Sequence, residues 1–198
     1  QVKVLVLDEA DEMLDMGFIE DMEWILDHLP TARQTALFSA TMPDAIQALA
    51  HKHLREPATV TIAGDKMTVP QIEQRYYDVA PAHKLNALAT ILDHEAPGAA
   101  IIFTRTKVAA AELTESLSGR GYSVDALHGD MNQAMRDSVM RRFRDGAVEI
   151  LVATDVAARG LDIENVSHVF NYDIPNDPEA YVHRVGRTGR AGRAGTAI

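Results

Sequence analysis

Two adjacent carboxylates near one end of this chain and a set of arginines near the other suit a single reaction. The apolar run 2–7 stops at Asp8-Glu9-Ala10-Asp11. Carboxylates at a strand end can hold Mg²⁺ through water (Asp8) and orient and deprotonate an attacking water (Glu9). Far along the chain, His183-Arg184-Val185-Gly186-Arg187-Thr188-Gly189-Arg190 spaces arginines among glycines. Planar guanidinium groups on such a backbone can reach the oxygens of a phosphate in transfer, and they stay charged at any working pH. Together the two stretches read as the halves of a nucleotide-hydrolysis site that closes between domains. The third part, a phosphate-cradling Gly-rich loop with its lysine, has no counterpart in the sequence.

The elements that must carry these residues follow from the apolar pattern. Strands are predicted at 2–7, 35–39, 59–62, 100–103, 123–127, 149–153 and 168–172, with a further strand entered at Thr196-Ala197-Ile198. Their apolar residues run on rather than alternate, as expected of parallel strands covered on both faces. Amphipathic helices are predicted at 20–28, 43–53, 84–94, 108–120, 133–144 and 178–185, the last opened by Asp177 as N-cap and Pro178 at the first helical position. Alternating strands and helices predict an α/β protein of open, doubly wound parallel sheets. Gly64, Lys66, Thr68 and Pro70 interrupt the pattern. Residues 1–66 are therefore read as the C-terminal part of one domain, 67–70 as a linker and 71–198 as most of a second domain whose last strand is incomplete.

Composition narrows the class. The chain has 198 residues, 46% hydrophobic and 24% charged, as in a soluble globular protein. It contains no cysteine, which excludes a disulfide framework or thiolate metal site and fits a reducing compartment. No apolar run reaches the roughly 18–20 residues of a membrane span. The net charge of −10 is unevenly spread: residues 8–27 are densely acidic, while 136–144 and 184–193 are locally basic. Local potential governs phosphate binding, so the total excludes no nucleic-acid partner.

Each motif has a plainer reading. An isolated Asp-Glu pair usually opens a helix, a Ser-x-Thr such as Ser39-Ala40-Thr41 usually caps one, and Arg105 after strand 100–103 usually meets solvent. Gln133 and Arg136 share a helix face. Arg141, Arg142 and Arg144 read as solvated, and Arg184 and Arg193 as salt-bridged or solvated. A Gly/Arg-rich segment is alternatively a flexible RNA-binding tail. The longer strings weigh against these readings. Val6-Leu7-Asp8-Glu9-Ala10-Asp11-Glu12-Met13-Leu14-Asp15-Met16-Gly17-Phe18, followed by Ser39-Ala40-Thr41, by Ala153-Thr154-Asp155-Val156-Ala157-Ala158-Arg159-Gly160-Leu161-Asp162-Ile163 and by the His183–Arg190 string, resembles the DEAD-box family of ATP-dependent RNA helicases over essentially the whole chain. Gly129-Asp130-Met131-Asn132-Gln133 adds a bacterial flavour, similar to the cold-shock and ribosome-assembly branch.

The resemblance implies RecA-like domains, ATP and Mg²⁺ as cofactors, and RNA gripped through its backbone with low sequence specificity. It implies catalytic roles for Asp8, Glu9, His183, Arg187 and Arg190, and ATP contacts from Gly160 and Asp162. Asp11, Ser39, Thr41 and Arg159 would couple the domains. Arg105, Gly129, Asp130, Gln133, Arg136 and Thr154 would contact RNA. A cytoplasmic setting with ribosomal or other ribonucleoprotein partners, and no membrane, is the accompanying expectation. Without the phosphate loop, this piece alone is expected to hydrolyse essentially no ATP. The rival readings are a DNA-translocating helicase of the same superfamily and a non-catalytic RNA-binding scaffold.

Overall fold

Leu5 and Leu7 alternate with Val4 and Val6 along the first strand, and that period of two decides which face is covered. In the computed structural model, β1 (Val4–Leu7) pairs in parallel with β2 (Gln34–Leu37), in a register that sets Leu5 opposite Thr35 and Leu7 opposite Leu37. Helices α1 (Ala10–Asp15), α2 (Ile19–His28) and α3 (Asp44–His53) close over the Leu5/Leu7 face, with Ala10, Met22, Leu26, Ile46 and Leu49 buried there. Val4 and Val6 remain 58% and 54% exposed. Coverage on both faces, expected from the apolar run, therefore does not hold for β1 among the described residues. These are 2–61, 72–158, 166–189 and 193–198.

The chain divides into two units, Gln1–Ala63 and Gly64–Ile198. In the first, the predicted strand 59–62 does not form over its described part. Residues 59–61 join no ladder and Val60 is 85% exposed, because β-branched residues make a strand only against a neighbour. Ile62 and the linker 67–70 lie outside the described residues.

The second unit is a six-stranded parallel sheet ordered β3-β8-β7-β4-β6-β5. Its strands are β3 (Ile72–Gln74), β4 (Ala100–Phe103), β5 (Val124–Leu127), β6 (Ile150–Ala153), β7 (His168–Asn171) and β8 (Gly195–Ala197). The central strands β4 and β6 are buried at every position. Their alternate residues feed two cores. Ile101, Phe103, Leu151 and Ala153 pack with α6 (Gln133–Arg144) and α7 (Asp155–Ala158). Ala100, Ile102, Ile150 and Val152 pack with α4 (Lys84–Glu95) and α5 (Lys107–Ser118). The sheet is thus wound on both sides, as the continuous apolar runs predict.

Local signals start the helices where expected. Thr106 caps α5 by accepting from the Ala109 N–H at 3.1 Å, and Asn132 caps α6 by accepting from Met135 at 2.9 Å. Asp177 caps α8 (Pro178–Val185) through the Glu179 and Ala180 N–H groups. Neighbouring strands β4 and β6 send their following helices, α5 and α7, to opposite faces. That reversal opens a crevice at the strands' carboxyl ends, where sheets of this kind place ligands.

Candidate functional site

In the first unit the chain leaves β1 through a sharp bend. Glu9 takes the left-handed conformation, φ 53° and ψ 47°, before α1 begins. For a residue with a Cβ this costs about 1–2 kcal/mol. Backbone bonds on both sides hold it: Phe38 N–H donates to the Leu7 carbonyl at 2.7 Å, and Ala10 N–H to the Phe38 carbonyl at 3.1 Å. The bend leaves Asp8 and Glu9 exposed at the carboxyl end of β1, with Asp8 Oδ1 accepting the Glu9 N–H at 3.0 Å. The Glu9 side chain makes no capping bond, so helix capping is not its task.

Asp11, by contrast, turns inward and is 6% exposed. Its Oδ2 accepts the Thr41 N–H at 2.6 Å and the Thr41 hydroxyl at 2.8 Å, and its Oδ1 accepts the Glu12 N–H at 3.2 Å. Its own N–H donates to Ser39 Oγ at 3.1 Å. Burial pushes the Asp11 carboxyl up, but the hydrogen bonds from Thr41, Ser39 and Glu12 outweigh it and hold the group below its ordinary value. The helix-cap reading of Ser39-Ala40-Thr41 fails here. α3 begins later, at Asp44, with Pro43 at its N-cap, and the Thr41 hydroxyl is committed to Asp11.

In the second unit, candidate residues gather at the carboxyl ends of β4, β5 and β6. Thr154 N–H reaches the Leu127 carbonyl at 3.4 Å, tying the ends of β6 and β5. Gly129 and Asp130 are exposed after β5, and Asp130 pairs with Lys107 at 2.8 Å. The hydrogen bond from Lys107 lowers the Asp130 carboxyl. Gln133 and Arg136 sit in the first turn and a half of α6. Gln133 donates to Asp137 at 2.8 Å, while Arg136 Nη2 donates to the Ala157 carbonyl at 3.0 Å. Arg105 follows β4 with its side chain exposed, and its N–H donates to Asp173 Oδ2 at 3.0 Å. Lys84 Nζ holds the other oxygen of Asp173 at 2.8 Å. Burial opposes the ionised form of Asp173, yet these bonds keep its carboxyl below the ordinary value.

His183 and Arg187 border a small cleft with Phe103, Asp155, Ala158 and Arg184. Past α8, Thr188 is 1% exposed and its hydroxyl donates to the Val166 carbonyl at 2.6 Å. Gly189 has φ +68°, and a Cβ on Gly195 of β8 would stand 2.6 Å from the Gly189 nitrogen. Only glycine permits this close passage of two backbones. Arg159, Gly160, Asp162 and Arg190 lie outside the described residues.

Arg184, read as salt-bridged or solvated, is 3% exposed and is bound to Asp155 by two parallel bonds. Sequence reasoning missed two features. Arg142, read as solvated, pairs with Asp125 at 2.7 Å. A cavity of ≈ 550 Å³ is lined by Tyr76, Tyr77, Lys84, Arg105, Tyr172 and Tyr181, of which only Arg105 was singled out. The doublet Tyr76-Tyr77, 89% and 52% exposed, was the available signal.

Among the described residues no group of three or more His, Cys, Asp or Glu forms a metal cage. The exposed Asp8–Glu9 pair instead fits Mg²⁺, which binds through one or two carboxylates, waters and substrate phosphates. Among those residues, too, no helix is long and apolar enough to cross a membrane.

Residues 83–192 match the family model described as the helicase conserved C-terminal domain, and residues 1–49 match that of the DEAD/DEAH box helicases. The chain belongs to the DEAD-box helicase family. The DEAD-box ATP-dependent RNA helicase CshA of Geobacillus kaustophilus is 58% identical over 185 residues, which cover 93% of this chain and 40% of that protein. The CshA of Bacillus cereus is 54% identical, over 93% of this chain and 35% of its own length. Among solved structures, S. cerevisiae Dbp5 bound to RNA and ADP BeF3 matches with a TM-score of 0.82 at 36% identity, over 100% of this chain and 54% of that one. A DEAD box protein from Methanococcus jannaschii matches at 0.63 and 41% identity, over 100% and 53%. This DEAD-box chain therefore has the RecA-like α/β fold, and it spans 40% or less of these curated relatives and about half of these solved chains.

Proposed function

We propose that the protein carrying this chain is an ATP-dependent RNA helicase, in which RNA-stimulated ATP hydrolysis drives local unwinding of RNA duplexes and remodelling of ribonucleoprotein complexes. The observation that carries this reading is the division of labour in the acidic motif. Asp8 and Glu9 stand exposed at a strand's carboxyl end, while Asp11, one turn on, is locked to Ser39 and Thr41. Exposed carboxylates at that position suit chemistry on a bound nucleotide, and a buried hydrogen-bonded one suits transmission. The relatives support both ligands: CshA is an ATP-dependent RNA helicase, and Dbp5 was solved with RNA and ADP BeF3.

In this reading residues 1–66 belong to the ATP-binding RecA-like domain, 67–70 to the linker and 71–198 to the second RecA-like domain. Glu9 orients the attacking water and takes its proton. Arg187 and Arg190, with His183 beside them, neutralise charge that builds on the transferred phosphoryl oxygens. Arginines in that role contribute about 10³–10⁵ in rate. Asp8 would hold Mg²⁺ through water, and the ion supplies charge neutralisation on the phosphates. Gly160 and Asp162 contact the nucleotide. Asp11, Ser39, Thr41 and Arg159 couple the nucleotide's state to RNA. Arg105, Gly129, Asp130, Gln133, Arg136 and Thr154 meet the RNA backbone, which carries little sequence information. The protein acts in the cytoplasm on ribosomal or other ribonucleoprotein substrates. The chain by itself, whose sequence has no Gly-rich lysine loop, hydrolyses essentially no ATP.

Glu9→Gln in the full-length protein tests the assignment. ATP-dependent RNA binding persists while turnover falls at least a hundredfold, a loss within the range for removing a general base. ATPase activity equal to wild type rules out Glu9 as the base.

A further inference from the structure

The Arg184 side chain is a buried charge with four hydrogen bonds, and none of the assigned roles uses it. Its Nε and Nη2 donate to the two oxygens of Asp155 at 2.6 and 2.8 Å. Its Nη1 donates to Asn171 Oδ1 at 3.2 Å and to the Asp173 carbonyl at 2.6 Å. The guanidinium carbon stands 5.0 Å from the centroid of the Phe103 ring. One side chain thus gathers the carboxyl ends of β4, β6 and β7 and fastens the last turn of α8 to them.

Arg187 lies two residues past the end of that helix. Its N–H donates to the Arg184 carbonyl at 3.0 Å. On its other side Thr188 is anchored to the Val166 and Ser167 carbonyls at 2.6 and 3.0 Å. Arg187 therefore hangs between two fixed points, and the first of them is Arg184.

We propose that Arg184 is a positioning residue for Arg187, holding the arginine that acts on the transferred phosphate through its bidentate grip on Asp155. The inference rests on the reading of Arg187 given above. A guanidinium fork is required, because a lysine supplies a point charge that cannot engage both Asp155 oxygens and two further acceptors in one plane. Loss of the fork lets the end of α8 shift, and a displacement of about 1 Å at a group acting on the transition state costs on the order of 10²-fold in rate.

The test is a double-mutant cycle in the full-length protein, with ATPase rates at saturating RNA. Arg184→Lys is expected to lower kcat roughly 10- to 100-fold while KM for ATP stays within about threefold. In an Arg187→Ala background the same substitution is expected to cost less than about threefold, because the residue it positions is gone. Equal losses in both backgrounds overturn the inference, since a merely structural role lowers both alike. Wild-type kcat in Arg184→Lys overturns it too. Wild-type kcat in Arg187→Ala alone overturns the underlying reading as well. If Arg184→Lys does not fold, Asp155→Asn, which keeps the volume and removes the charge, takes its place in the cycle. Failure of both to fold makes the pair purely structural and ends the proposal.

Discussion

Asp11→Asn isolates the charge at the centre of the acidic motif while keeping the side chain's shape. In the native protein Asp11 Oδ2 accepts two bonds from Thr41, at 2.6 and 2.8 Å, within a site only 6% exposed. Hydrogen bonds to an ionised group contribute about 1.5–3 kcal/mol each and neutral ones about 0.5–1.5. Neutralising the acceptor of two such bonds therefore costs about 2–3 kcal/mol, or roughly 30- to 150-fold in the unfolding equilibrium. Rotating the amide does not help, because its NH₂ group then faces the Glu12 N–H that Oδ1 accepts at 3.2 Å. Trp24, the single tryptophan, lies in α2 of the same unit, so urea unfolding followed by its fluorescence reports this unit selectively. The effect carries a pH signature. The folded Asp11 carboxyl titrates below its ordinary value of 3.8, so the unfolded chain binds the more protons between the two values. The stabilisation is complete above about pH 5 and is lost as pH falls through the folded value. The gap between wild type and Asp11→Asn is thus full at pH 7 and pH 5 and shrinks below 3.8. A difference under about 1 kcal/mol at neutral pH, or one that acid leaves unchanged, refutes the reasoning.

Other outcomes follow from single observations. Glu9→Gly relieves a left-handed backbone of φ 53° and raises stability by about 0.5–1 kcal/mol net of glycine's own entropy, measured by the same Trp24 unfolding, while the same substitution in the full-length protein abolishes turnover. Gly195→Ala drives a Cβ to 2.6 Å from the Gly189 nitrogen, so β8 must shift, with a loss of about 1–3 kcal/mol seen as a lowered melting temperature by circular dichroism. Thr188→Val removes the donor to the Val166 and Ser167 carbonyls and destabilises the second unit by about 1–3 kcal/mol in the same melting assay.

Elements with a local cause were legible from the residues alone. The buried strands β4 and β6 announced themselves by unbroken apolar runs, and α8 by Asp177 and Pro178 at its start. The short helices α1 and α7, of six and four residues, were illegible because neither completes two turns of a periodic pattern. β3 was illegible because Glu73 and Gln74 lie on an exposed edge and earn strand conformation only by pairing with β8. The same division runs through the site. Motif strings marked Asp8, Glu9, Asp11, Ser39 and Thr41 as a set. The resemblance grouped Asp11 with Ser39 and Thr41, but the parallel register of β1 with β2 is what brings the Asp11 carboxylate and Thr41 together across 30 positions. Arg184 and Arg187 are three residues apart in one string and line the same cleft, yet Arg184 is buried in a network of strand ends and Arg187 is only half-buried. A guanidinium's chemistry is written in its residue type. Whether it positions or reacts depends on which strand ends the crossovers bring beneath it, and that is a property of the folded sheet.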